Sequence, residues 1–223
     1  MGPRTGPAAA RRTFLRHFPG GFVDETYLAW ERDYKWQAHR LWRERIGDAE
    51  TFRAALDAGR HADVAADVVR IESGRPMLFS FEKMALCDGV VRSPAGAVRF
   101  TEGLHDWLHG PGSEGERFGR WVEVVQGLPR KQTRVATWPV LTIFGFIARP
   151  RVHCFLKPRT MQRAAAAYGF DLAYSSQPRW ETYRSLLELC GVVRADLTAA
   201  GMKPRDQIDV QSFLWVLGSD EYG

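Results

Sequence analysis

Apolar residues recur at the helical period along most of this chain, and that recurrence leaves few folds open. From Asp24, DETYLAWERDYKWQAHRLWRERIG sets Tyr27, Trp30, Tyr34, Ala38 and Leu41 on one helical face, and Gly47 closes the run. Asp48 caps a short helix that Gly59 stops, and HADVAADVVRIESG follows with Val64, Val68 and Ile71 in phase. After Pro76, MLFSFEKMALCDGVV is apolar on almost every side, which predicts a central helix. Ser93 and Pro94 open another helix, and GERFGRWVEVVQG then buries Phe118, Trp121, Val122 and Val125. Thr137 caps TWPVLTIFGFIA, with Pro139 in its first turn. RWETYRSLLELCGVVRADLTAAG is amphipathic through Tyr183, Leu186, Leu187, Cys190, Val193 and Leu197. RDQIDVQSFLWVLG fits a buried helix or a strand. Eight or nine helices with short loops predict an all-α, compact multi-helix domain, with two helical halves as the alternative arrangement.

With 223 residues, 45% of them hydrophobic, the chain can bury a sizeable core without staples. Residues 1–18 are expected to form a flexible basic arm and residues 19–223 a single all-α domain. A sub-boundary is expected near 109–116, in HGPGSEGE. Cys87, Cys154 and Cys190 are far apart and odd in number, which disfavours a disulfide framework and fits a reducing cytoplasm. The longest apolar stretch, Trp138 to Ala148, is too short to span a bilayer, and the N-terminal stretch lacks an apolar signal core. A cytoplasmic chain with no membrane partner is expected. The net charge of +5 admits an acidic partner, DNA first and an acidic protein second. Only Lys35, Lys83, Lys131, Lys157 and Lys203 are lysines, so an Arg-rich coding bias also accounts for the charge.

Four stretches carry candidate chemistry. In HDWLH, His105 and His109 share a helical face and could hold zinc, but Gly110-Pro111 ends the helix at once and no third ligand stands out. In FEKMAL, Glu82 and Lys83 lie in an otherwise apolar helix, as a structural ion pair or as a polar site lined by the core. In KPRDQIDVQSFLWV, Asp206 caps the element and Asp209 lies three residues on, as structural polar residues or as metal-holding carboxylates. In LPRKQTR and RVHCFLKPRTMQR, two helix starts are surrounded by cations, a pattern that suits phosphate and equally a solvated basic surface. Pro158, directly after Lys157, is by itself a good mechanical helix start.

The order of features over residues 128–195 resembles the helix-hairpin-helix DNA glycosylase superfamily. LPRKQTRVATWPVLTIFGFIA, HCFLKPRTMQRAAAAYGF and PRWETYRSLLEL follow one another as that family's hairpin, its entry and Arg-bearing helix, and its W-x-x-Y-R-S helix do. Trp180, Tyr183, Arg184 and Ser185 match the last motif. PRKQTR stands where the hairpin glycines are expected, and the family's catalytic Asp falls at or next to Lys157, where no carboxylate stands. The resemblance implies an all-α DNA-repair protein that takes a flipped or damaged base into an aromatic pocket, with N-glycosyl bond hydrolysis as the reaction. Lys157, Asp209, Asp206 and Glu82 are the candidate catalytic groups, with Lys157 as a Schiff-base amine if burial lowers its pKa. Arg130, Lys131, Arg134, Arg159, Arg163 and Arg184 are the candidate nucleic-acid contacts. Trp138, Tyr168, Trp180 and Tyr183 are the candidate base pocket. No cofactor and no metal are expected on this reading. A non-catalytic interaction protein with a basic surface is the second expectation. The third is a metal-dependent hydrolase or nuclease using Asp206 and Asp209, or His105 and His109.

Overall fold

The structure is a computed structural model that describes residues 5–131 and 135–222. Its described residues form eleven helices and no strand. They are α1 (Pro7–His17), α2 (residues 25–45), α3 (Ala49–Asp57), α4 (His61–Ser73), α5 (Ser80–Leu86) and α6 (Pro94–His109). After these come α7 (Glu114–Gln126), α8 (Trp138–Ala148), α9 (Pro158–Tyr168), α10 (Trp180–Ala199) and α11 (Gln207–Gly218). Two π-helical segments interrupt the regular pattern, Leu28–Arg32 inside α2 and Cys87–Val91 after α5.

Both ends of the chain raise the count above eight or nine. The segment expected as a flexible arm is helical from Pro7 to His17, and Phe14 and Phe18 are fully buried. The Phe14 ring meets Phe22, Tyr27 and Phe213 at centroid distances of 5.1, 5.7 and 5.2 Å. A segment that buries two aromatic rings this way is held by the core and is not a loose arm. The ambiguous last element is the helix α11, capped by Asp206, whose carboxylate accepts from the amides of Ile208 and Asp209.

The central helix is α8, not α5. Every residue from Trp138 to Ile147 is buried, as an all-apolar helix requires. α5 lies at the surface and leaves Phe79, Phe81 and Met84 exposed. Its inner side is set by a buried carboxylate. Glu82 accepts a 3.0 Å bond from the amide of Phe79 and a 2.6 Å bond from the hydroxyl of Thr137, which latches α5 to the start of α8. The 109–116 stretch, expected as a boundary, is a turn between α6 and α7, which pack on each other. Ser113 and Glu116 close it with a reciprocal capping box, and one apolar core continues across it. α9 and α11 approach so closely that a Cβ on Gly218 would lie 2.0 Å from the carbonyl oxygen of Thr160. No helix among the described residues is long and apolar enough to cross a membrane.

α2 turns inward most of the face its spacing suggests, with Tyr27 and Ala38 fully buried and Tyr34 and Leu41 packed on the core, but Trp30 departs from it. Trp30 is 64% exposed, whereas Glu31, Arg32 and Lys35 are buried. The adjacent Glu31 and Arg32, both buried, close the π segment of α2. Arg32 donates to both oxygens of Asp206, at 2.9 and 2.8 Å, and to Asp209 at 2.7 Å. Asp209 also accepts from the Tyr27 hydroxyl at 2.6 Å and from the Arg205 backbone amide and guanidinium. Burial raises the pKa of Asp209, but these donors, Arg205 first and Tyr27 next, hold it below the usual range. Lys35 sits beside this cluster, paired with Glu31 at 2.9 Å and donating to Ser212 at 2.8 Å. Replacing Arg32 by Met leaves two buried carboxylates without their shared cation. Urea unfolding of that variant is expected to show a loss of about 3–5 kcal/mol, and a loss below about 1 kcal/mol would mean the network holds little of the fold.

Candidate functional site

Residues 149–157 carry the chain from α8 to α9 without helix. His153, Cys154, Phe155 and Leu156 are all buried, so the segment passes through the core and needs internal partners for its backbone. The Cys154 amide donates to the Tyr183 hydroxyl at 3.3 Å, and the Leu156 amide donates to Thr142 Oγ1 at 3.0 Å. Where the segment leaves the core it presents Lys157 at the N-cap of α9, with Pro158 at the first helical position.

The Lys157 ammonium lies over two aromatic rings, 4.7 Å from the centroid of Phe79 and 5.0 Å from that of Trp215. Burial pushes its pKa down. The charges of Glu82, Glu221 and Glu72 oppose that shift and Lys35 adds to it. No carboxylate among the described residues forms an ion pair with it. Phe79 stacks on Phe81 at 5.7 Å with 10° between the rings, and both are exposed, so the amine borders an open aromatic shelf. Three buried carboxylates lie behind this shelf. Glu82 is taken up by the α5–α8 latch. Glu31 accepts from Lys35 and, at 2.7 Å, from the Tyr222 hydroxyl. Glu72 is 1% exposed, accepts from the Leu78 amide at 2.8 Å and lies 3.7 Å from the Lys83 ammonium. Burial pushes its pKa from 4.5 to about 6.

Of the candidate catalytic groups, the fold brings Lys157 and Glu82 into one neighbourhood. It holds Asp206 and Asp209 in the Arg32 network, with their oxygens occupied and Asp209 fully buried. Glu82 and Lys83 do not pair. Lys83 donates to the carbonyls of Ser73 and Arg75. The four aromatics nominated as a base pocket do not gather. Trp180 and Tyr183 line one narrow cleft with Trp107, Arg117 and His153. Trp138 is buried, stacks on Phe118 and donates to the carbonyl of Ser175 at 2.9 Å. Tyr168 packs near Phe213 and donates to Asp196 at 2.5 Å.

Most of the nominated cations have acidic neighbours. Arg159 and Arg163 both reach Asp220, Lys131 lies 3.7 Å from Asp88, and Arg184 lies 3.4 Å from Glu188. Arg130 is exposed, and Arg134 falls outside the described residues. Exposed pairs of this kind are individually weak. The histidine pair is engaged otherwise. His105 Nε2 lies 3.2 Å from the carbonyl of Ala49, burial pushes the pKa of His109 down to about 4, and Asp106 accepts two bonds from Arg120. No group of three or more His, Cys, Asp or Glu that could hold a metal ion occurs among the described residues.

Sequence reasoning missed Phe79, Phe81, Trp215, Glu72, Arg117 and His153. The first two lay hidden in a run that looked apolar on every side. Glu72 and Trp215 sit on helices read mainly for their apolar phase, and no local pattern pairs His153 with Arg117.

The raised pKa of Glu72 has a definite sign in the pH dependence of stability. Its contribution is fully present below about pH 4.5 and is lost as pH rises through about 6, because the folded state resists ionisation. Glu72→Gln removes that loss. The stability of the variant relative to wild type should rise by about 2 kcal/mol between pH 4 and pH 8, followed by urea unfolding at each pH. A difference that stays constant would mean Glu72 ionises as it does in water. No family model matches this chain, and no curated protein or solved structure shows significant similarity to it.

Proposed function

We propose that this chain is a nucleic-acid-binding protein of the DNA-repair type that acts at a damaged base or the abasic site it leaves, with Lys157 as the attacking amine. The observation that supports this reading most is the placement of the Lys157 amine between Phe79 and Trp215, half-buried and with its pKa pushed down. A lysine in water is almost wholly protonated at neutral pH and is a poor nucleophile, and desolvation raises the share of free amine. The Phe79–Phe81 shelf offers an aromatic face to an unstacked base, the interaction by which single-stranded segments are held with little sequence preference.

In this reading the lone pair of Lys157 Nζ adds to the C1′ aldehyde of the open abasic sugar. Water leaves, and a C=N bond joins protein to DNA. Arg130, Lys131, Arg159, Arg163 and Arg184 would contact phosphates, with Arg134 in the stretch between the described segments. Asp206 and Asp209 are given no chemical role.

Borohydride reduces such an imine to a stable amine, so the test is a trapping assay. Purified protein is incubated with a duplex carrying one abasic site, then with sodium borohydride, and resolved on a denaturing gel. Wild type is expected to give a protein–DNA adduct. Lys157→Ala is expected to give none while keeping its salt-dependent binding to the same duplex, because the phosphate contacts lie elsewhere. Binding without an adduct in wild type would remove the amine chemistry. Absence of both would remove the nucleic-acid reading altogether.

A further inference from the structure

The residues after α11 return to the start of α9, where two of the nominated arginines stand. α11 ends at Gly218, whose lack of a Cβ lets it meet the carbonyl oxygen of Thr160 in the first turn of α9. That close approach delivers a short helical turn, Asp220–Tyr222, to the side of α9 and to the Lys157 shelf.

Each residue of this turn meets a different part of the site. Asp220 accepts from Arg163, and its Oδ2 lies 3.8 Å from Arg159, so one carboxylate spans two arginines a helical turn apart. Glu221 accepts from the Trp215 indole at 3.3 Å, and its charge acts on Lys157, whose ammonium lies over that same indole. Tyr222 turns inward. Its hydroxyl donates to Glu31 at 2.7 Å, and its ring meets those of His17 and Phe18 at 5.1 and 5.7 Å.

The turn is therefore pinned on both sides and charged in the middle. Gly218 holds it to α9 and Tyr222 holds it to the core, while Asp220 and Glu221 are exposed and add little to the packing. To a guanidinium, a carboxylate and a phosphate present the same feature, a fork of anionic oxygens. An exposed ion pair is weak by itself, but a tethered partner is present at a high effective concentration. Asp220 is thus a standing competitor for any phosphate that approaches Arg159 and Arg163.

We propose that Asp220 and Glu221 form an autoinhibitory strap, whose carboxylates hold the place of DNA phosphates beside Lys157 and must leave before a strand is seated. The inference rests on the nucleic-acid reading of the Lys157 site and adds its regulation. Displacement needs no unfolding. Rotation of two exposed side chains frees Arg159, Arg163 and the edge of Trp215, while Tyr222 keeps the turn in place.

The test compares three forms of the full chain on one fluorescent duplex carrying an abasic site, with anisotropy read across a salt series. They are the wild type, Asp220→Asn with Glu221→Gln, and Glu123→Gln with Asp171→Asn. The last pair neutralises two carboxylates exposed elsewhere, so both variants gain the same net charge. The strap variant is expected to bind about three- to tenfold more tightly than wild type at low salt, and the advantage should shrink as salt screens the carboxylates. The control variant should gain less than about twofold, because its charges act from a distance. Equal binding by wild type and strap variant, or an equal gain in the control, would overturn the strap and leave the nucleic-acid reading standing. No binding by any of the three would overturn that reading and the strap with it.

Discussion

The pairing of Arg32 with Asp206 and Asp209 is the constraint from which most of this architecture follows. Removing such charges from water costs several kcal/mol each, and the cost is recovered only when every oxygen and N–H is matched. Here the matching is close to complete. Asp206 takes two bonds from Arg32 and two from the first turn of α11, and Asp209 takes its bonds from Arg32, Arg205 and Tyr27. Arg32 ends the π segment of α2 and lies buried beside Glu31. Satisfying Asp209 fixes how α11 is rotated about its axis. That rotation brings Ser212 to Lys35 and leaves Trp215 half-buried beside Lys157. The carboxylates that the sequence offers as chemistry therefore act on the surface site at a distance, by seating the helix that carries its Trp.

Two opposed effects set the state of the Lys157 amine. Loss of water disfavours the ammonium, while the faces of Phe79 and Trp215 favour it by about 0.5–2 kcal/mol each. The carboxylates of Glu82, Glu221 and Glu72 also favour the charged form, and the balance is still a lowered pKa. The shelf depends on a further latch. Glu82 holds the amide of Phe79 and the hydroxyl of Thr137, so the ring under the ammonium is fixed to the start of α8.

The helices were legible because periodicity, caps and stops are local. Ser93, Thr137 and Asp206 cap the helices that their positions imply, and Pro158 starts α9 as its fixed φ requires. What stayed hidden depends on partners distant in sequence. The stripe Tyr27–Trp30–Tyr34–Ala38–Leu41 predicts the inner face of α2 apart from Trp30, and partners more than 170 residues away add Arg32 and Lys35 to that face. The run from Met77 to Val91 is apolar on almost every side, and a run of that kind does not say which side meets the core. Glu82 decides it through a hydroxyl 55 residues further on. The site followed the same rule. Lys157 was identifiable from its place before Pro158, but Phe79 and Trp215 were not, because nothing in either neighbourhood refers to residue 157. The W-x-x-Y-R-S motif has a structural reading of its own, with the Tyr183 hydroxyl serving the buried backbone of Cys154 and Ser185 accepting from the amide of Ala173.

The segment from His153 to Lys157 joins the cleft lined by Trp180 and Tyr183 to the Lys157 shelf, and its construction bears on how they relate. Four peptide steps span at most about 14 Å, so the two lie near one another along the chain. Between them, Cys154 is bonded to Tyr183 and Leu156 to Thr142, and all four residues from His153 to Leu156 are buried. Gly145 lets Trp107 and His153 press directly on α8, where a Cβ would lie 2.4 Å from the Trp107 ring. A segment clamped at its backbone and packed on both sides has no second arrangement within easy reach, and coupling between sites needs an element with two arrangements. The segment therefore acts as a rigid spacer. It fixes the His153 imidazole at the cleft lined by Trp180 and Tyr183 and the Lys157 amine over the Phe79 ring.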